Sequence, residues 1–153
     1  MAALTAHVFP QFLLGVNAGH ISMTGGTYKV ALGNAAGPIS LSTAGISTAA
    51  LFTDWTAIVP EITGTGYSAG GNPVSSPTFA AGGTNNSVTT WTSATNPSWT
   101  SATFTANQAV FYESSATVSQ LICFWDFGGS VPVTAATFTL SISGSGLLTA
   151  TVS

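Results

Sequence analysis

A chain of 153 residues is the size of one domain, and at that length folding buries roughly 68–70% of the unfolded surface, so a core needs no metal or disulfide. Only 3% of its residues are charged, with a single lysine, Lys29, and no arginine, where an ordinary soluble domain carries about 25%. Binding nucleic acid requires many cations to neutralise phosphates, so that class is excluded, and a net charge of −3 leaves little repulsion between copies of the chain.

The opening MAALTAHVFPQFLLGV has no basic stretch of the kind that begins a secretory signal. No apolar run approaches the roughly 20 residues that span a bilayer, so synthesis in a cytoplasm and no membrane partner are expected. Residues 1–20 read as an extended arm or a short helix, with Phe9 to Val16 its apolar part. Thr27 to Leu32, entered through Gly25-Gly26 and left through Gly33-Asn34, reads as a strand. Ser47 to Phe52 and Trp55 to Val59 allow one or two helical turns, with Asp54 a candidate N-cap. Residues 68–87, rich in Gly, Pro, Ser and Asn, read as a long loop or irregular edge.

The second half is strand-like. Trp91-Thr92-Ser93-Ala94-Thr95 recurs as Trp99-Thr100-Ser101-Ala102-Thr103. Two copies are too few for a solenoid, so they read as two strand ends flanking a turn at Pro97. Ala109 to Tyr112 and Leu121 to Phe127 are apolar strands joined by a polar loop from Glu113 to Thr117, and Asp126 is expected to close the second before a turn at Gly128-Gly129. Strict alternation from Thr137 to Ser143, then Gly144-Ser145-Gly146, then Leu148 to Val152, predicts a terminal hairpin. The expected fold is all-β: residues 1–153 form a single β-sandwich, jelly-roll or Ig-like, with an N-terminal arm and at most short helical turns.

Candidate chemistry is sparse. Gly66-Tyr67-Ser68-Ala69-Gly70 fits the string of a nucleophile elbow, but an elbow needs a strand before it and a helix after it. Asn72-Pro73 does not begin a long helix, and both histidines, His7 and His20, precede the serine. The same stretch lacks the Gly-Lys-Ser/Thr of a phosphate loop. The four acids, Asp54, Glu61, Glu113 and Asp126, are far apart in sequence, and a glycosidase needs two that face one sugar. Asp126-Phe127-Gly128 matches a kinase triplet as a string without the other kinase signatures. Cys123, in an apolar run, reads as a small hydrophobe. Asn85-Asn86-Ser87 has the form of a glycosylation sequon but carries no weight without a secretory signal. No catalytic residue, cofactor or metal is therefore expected. The glycines of Gly64 to Gly71 are expected to supply positive φ angles and close backbone approach around Tyr67, making that stretch a structural turn. Core packing is the expected use of Trp91, Trp99, Trp125, Tyr67 and Tyr112, ahead of stacking on sugars.

Glu61-Ile62-Thr63-Gly64-Thr65-Gly66-Tyr67-Ser68-Ala69-Gly70-Gly71 resembles the E-x-x-G-x-G-Y-x-x-G-G stretch of small structural proteins encoded among the head and tail genes of tailed bacteriophages. Gly15, the strand Tyr28 to Leu32, Trp55, Trp99 to Thr103, Asp126-Phe127-Gly128 and Gly146-Leu147-Leu148-Thr149 fall in that family's order. The chain departs from the family in its lack of charge and its duplicated Trp-Thr-Ser-Ala-Thr. The resemblance implies a virion component and no enzyme: a capsid decoration or cement protein on the outside of the shell, with the major capsid protein and copies of itself, as a homotrimer, for partners. The alternative is a tail or fibre component that touches host-surface glycans. Phe9, Phe12 and Leu13 are the candidate partner contacts, since apolar residues on an arm could reach a neighbour, and such an arm would be dispensable for folding.

Overall fold

The computed structural model describes residues 5–22, 25–75, 77–82, 88–114, 118–142 and 148–151. The chain is all-β and sandwich-like, with two unequal sheets and two short helices. Strand β1 (Thr5–Val8) and helix α1 (Pro10–Asn17) come first, then β2 (Tyr28–Gly33), a 3-10 turn (Ile46–Thr48), α2 (Phe52–Ile58) and the stub β3 (Asn72–Pro73). They are followed by β4 (Thr78–Gly82), β5 (Val88–Thr92), β6 (Ser98–Ser114), β7 (Ser119–Thr139) and β8 (Leu148–Thr151). The larger sheet has the order β1-β7-β6-β2-β3 and the smaller β4-β5-β8, and among the described residues neighbouring strands pair antiparallel. Among the described residues no helix is long and apolar enough to cross a membrane.

The N-terminal arm contains both a strand and the expected short helix, and residues 5–17 are packed on the sheet instead of extending free of it. β1 pairs with β7 from Thr5↔Asp126 to Val8↔Cys123. Pro10 then starts α1 at a position where its missing N–H costs nothing. Gly19, at φ +72°, ends the helix: the Gly19 N–H donates to the Val16 carbonyl at 3.1 Å and the His20 N–H to the Gly15 carbonyl at 2.9 Å, a Schellman closure. Phe9 and Phe12 are buried in the core, whereas Leu13 and Leu14 of the same helix are exposed. Two of the three expected partner contacts thus hold the chain's own fold together, and only Leu13 faces outward.

β6 and β7 run 17 and 21 residues and form the spine of the molecule. β7 does not stop at Gly128-Gly129 as expected. It bulges: Ala106 faces Val131 and Gln108 faces Asp126, so Phe127 to Ser130 lie opposite Asn107 alone, with Gly128 at φ +71°. Pairing resumes beyond the bulge because Val133, Ala136 and Phe138 find partners on β6. Among the described residues the expected terminal hairpin is not formed. β7 ends against Ser98 and Trp99 of β6, whereas β8 pairs with β5, from Val88↔Thr151 to Trp91↔Leu148. Its expected turn, Gly144 to Gly146, lies outside the described residues. The duplicated segments do flank Pro97, but Trp91 is in the small sheet and Trp99 in the large one, and both are buried. The 68–87 loop contains β3 and the length of β4, with 83–87, including the sequon, outside the described residues.

β2 is buried on both faces. Tyr28 meets Trp91 of the small sheet edge-on at 5.1 Å between ring centroids. On the alternate face, Gly33 packs beneath Trp55 and Val59, and Phe52 stacks at 4.3 Å on Tyr112, the cross-strand neighbour of Lys29. Asp54 is not the N-cap of α2. It lies one turn in and reaches back to accept the N–H groups of Ala50 at 3.0 Å and Leu51 at 2.9 Å.

Phe9→Ala is expected to lower unfolding stability by about 3–5 kcal/mol, while Leu13→Ala changes it by no more than about 0.5 kcal/mol. Urea denaturation followed by tryptophan fluorescence reads both.

Candidate functional site

The segment from Glu61 to Gly71 lies along the outer edge of β2 and takes the place of a missing strand. Conventional pairing with β2 is limited to Gly33↔Glu61 at one end and Lys29↔Pro73 with Val30↔Asn72 at the other. Between them, the Leu32 carbonyl accepts the Ile62 N–H at 3.1 Å, and the Leu32 N–H donates to the Tyr67 hydroxyl at 3.0 Å. A side-chain oxygen thus fills the acceptor position that a neighbouring strand would supply. The Tyr67 hydroxyl in turn donates to Glu61 Oε1 at 2.7 Å, and the same oxygen accepts the Gly70 N–H at 2.5 Å. The Tyr112 hydroxyl completes the array by donating to the Gly70 carbonyl at 2.7 Å.

The glycines are required by this geometry. Gly66, at φ +77°, presses against the Thr100 carbonyl, and Gly71, at φ +69°, packs so tightly on the Val30 carbonyl that a Cβ there would overlap it. The ring of Tyr67 stacks 6.2 Å from Trp99 and meets Phe104 edge-on at 6.1 Å. Burial, reinforced by the hydrogen bond to Glu61, pushes the Tyr67 hydroxyl far above the usual tyrosine range. Burial followed by the Glu61 charge pushes Tyr112 up to about 12. Both hydroxyls therefore stay protonated and donating at any physiological pH. The expectation of a structural turn around Tyr67 holds, and the structure adds its purpose, which is to seal a sheet edge.

Ser68 is exposed, and its carbonyl accepts the Gly71 N–H at 2.9 Å, closing a turn with no helix after it. The carboxylate of this segment is bonded to Tyr67 and Gly70, and His7 is stacked on Phe124 of β7 at 4.8 Å. Nothing here assembles a nucleophile with a base.

The other acids are also bonded to backbone. Asp126 accepts the Ile39 N–H at 2.8 Å and the Gly128 N–H at 2.7 Å, with Gln108 Nε2 at 3.3 Å. It therefore ties the bulge to the loop after β2. Asn107 holds the same loop by donating to the Ala35 carbonyl at 2.7 Å and accepting the Ala35 N–H at 2.9 Å. A cavity of about 160 Å³ lies beside this buckle, lined by Asn107, Asp126, Ala35 to Pro38 and Gly128 to Ser130. Glu113 is buried; its Oε2 has no hydrogen-bond partner among the described residues, and burial raises its pKa against the opposing effect of a hydrogen bond from the Ser22 backbone. Cys123 is fully enclosed, and burial pushes its thiol well above the usual range, as a packing role requires. Among the described residues no three of His, Cys, Asp and Glu are grouped to hold a metal ion.

Of the aromatic residues weighed as sugar platforms, Trp91, Trp99, Trp125 and Tyr112 are buried and Tyr67 is half-buried beneath its clamp. Sequence reasoning missed the link from Glu61 to Tyr67 and the buckles at Asn107 and Asp126. The first had a signal, an acid and a tyrosine bracketing closely spaced glycines. The buckles had none, because their partners lie 72 and 87 residues away. No protein-family model matches the chain, and neither a curated protein nor a solved structure with significant similarity to it was found.

Two substitutions test these roles. Tyr67→Phe leaves the Leu32 N–H without its acceptor and is expected to cost about 1–3 kcal/mol in urea denaturation. Glu113 favours its protonated form when folded, so the stability it contributes is full below the ordinary carboxylate range and is lost as pH rises through its raised pKa. Glu113→Gln should therefore melt at a higher temperature than the wild type near neutral pH, and at the same temperature at about pH 3.

Proposed function

We propose that the chain is a non-enzymatic structural protein of a tailed-phage virion, a decoration or cement protein bound to the outside of the capsid. Its partners are the major capsid protein and copies of itself, assembled as a trimer. The observation that carries this reading is the use made of the acids: all four accept backbone N–H groups, Asp54 at a helix start, Glu61 in the clamp, Glu113 from Ser22 and Asp126 at the bulge. The acids thus serve the fold, and with so few charges the exterior consists mainly of hydroxyls, amides and apolar groups. Such a surface forms standard-sized interfaces of about 1,600 Å² without stripping water from ions. A protein that binds only the assembled shell adds its binding free energy to the shell's stability by mass action. The phage assignment itself rests on the resemblance of Glu61 to Gly71 and the ordered motifs around it. The glycan-binding alternative has less support, because the rings it would use are buried.

Antibody to the chain, gold-labelled on intact particles, should decorate heads. Purified chain added to shells that lack it should co-sediment with them and raise their melting temperature. Label confined to tails, or no chain on particles, would remove the reading.

A further inference from the structure

The two edges of the large sheet are finished differently. The β2 side is closed by the Glu61–Tyr67 clamp, and the β7 side is open. There β1 covers β7 only as far as Asp126. Among the described residues β7 from Phe127 to Thr139 is paired on one side alone, with β6. Beside this stretch lies a groove of about 470 Å³ with Trp125, Phe127, Val131, Phe138 and Leu140 in its lining and the exposed Thr139 and Ser141 completing it. No Asp, Glu, Lys or Arg occurs from Phe127 to Ile142.

At the other end of the same edge, α1 follows β1 alongside the start of β7: the Phe9 N–H donates to the Ile122 carbonyl, and Gly15 lies near the Gln120 side chain. This helix carries Leu13 and Leu14, 64% and 61% exposed, the large hydrophobic side chains left in solvent among the described residues. Buried Phe9 and Phe12 fix the helix, so its leucines are held outward, and neither lines the chain's own groove.

We propose that Leu13 and Leu14 of one copy enter the groove beside β7 of a second copy. The inference rests on the reading that the chain assembles with itself, and it names the surfaces. Second copies fit better than a charged partner because both surfaces are apolar and neither has an ion that could steer or pair one. Knob and groove occupy different places on the chain, so each copy gives one and receives one. The contact is heterologous, and such contacts close into rings when the rotation permits, here a ring of three. The uncharged edges of β1 and of β7 beyond Asp126 flank the contact and carry none of the lysine or inward charge that blocks edge-to-edge association.

The test uses the full chain and sedimentation velocity over a concentration series. Leu13→Glu with Leu14→Glu removes the knob; Thr139→Glu with Ser141→Glu places charge in the groove. All four positions are exposed, and near-ultraviolet circular dichroism from the buried tryptophans confirms that each variant is folded. Each double variant should be monomeric, its self-association weakened at least about tenfold. Mixed together, the two variants should form a one-to-one dimer that grows no further, since one intact groove and one intact knob remain between them. A monomeric wild type, variants that assemble as the wild type does, or a mixture that stays monomeric would each overturn the proposal. Shell binding is read separately. A monomer that decorates shells sinks this inference and the trimer with it but leaves the decoration role standing, and a ring that ignores shells does the reverse.

Discussion

The fold depends on how one strand edge is satisfied without a strand. β2 lies at the centre of the packing, covered by α2 on one face and by Trp91 on the other, yet its outer edge has only two stubs of pairing partner. An unpaired backbone N–H at such a position costs as much as a lost hydrogen bond. The Tyr67 hydroxyl removes that cost for Leu32 because a phenol can accept and donate at once. Glu61 takes the donated proton's hydrogen bond and holds the ring in place, and the Gly70 N–H steadies the carboxylate. A charge-assisted bond is the stronger kind, and this one is placed where it fixes the register of a whole segment.

The same economy of charge runs through the molecule. With so few ions, each carboxylate accepts hydrogen bonds from the fold, even Asp54, which is exposed. Asp126 and Asn107 buckle the loop after β2 onto the bulge of β7, and Asp54 steadies the start of α2. Glu113 is the exception: one of its oxygens is buried without a hydrogen-bond partner among the described residues, and its raised pKa is the physical expression of that deficit. Stability that comes from short buried bonds and aromatic packing responds little to salt, since there is little long-range charge to screen.

These arrangements also divide the surface. Where the clamp closes the sheet, polar atoms are satisfied and the backbone is shielded. Along the β7 side, an apolar groove and an exposed pair of leucines remain, on a chain whose low charge offers little resistance to association. Under the proposed role in a particle, the first edge would preserve the fold and the second would supply contact. The tryptophans, which could have marked a binding face, are enclosed in the core.

Local pattern by itself determined the strand class of the chain, the strand at Thr27 to Leu32 to within one residue at each end, the use of the tryptophans for packing and the turn around Tyr67. Each follows from period-two alternation or from glycine's access to positive φ, which neighbouring residues fix. Pro10 and Gly19 carried a helix signal inside what otherwise resembles an arm. Only the tertiary structure decided that Phe9 and Phe12 belong to the core, that β7 continues through Gly128-Gly129, and that β8 leaves β7 for β5. It alone joined Asp126 to Ile39 and Asn107 to Ala35. Alternation states that a residue has a buried face but not which strand covers it, and partners 72 or 87 residues apart meet only once the sheet has chosen its register.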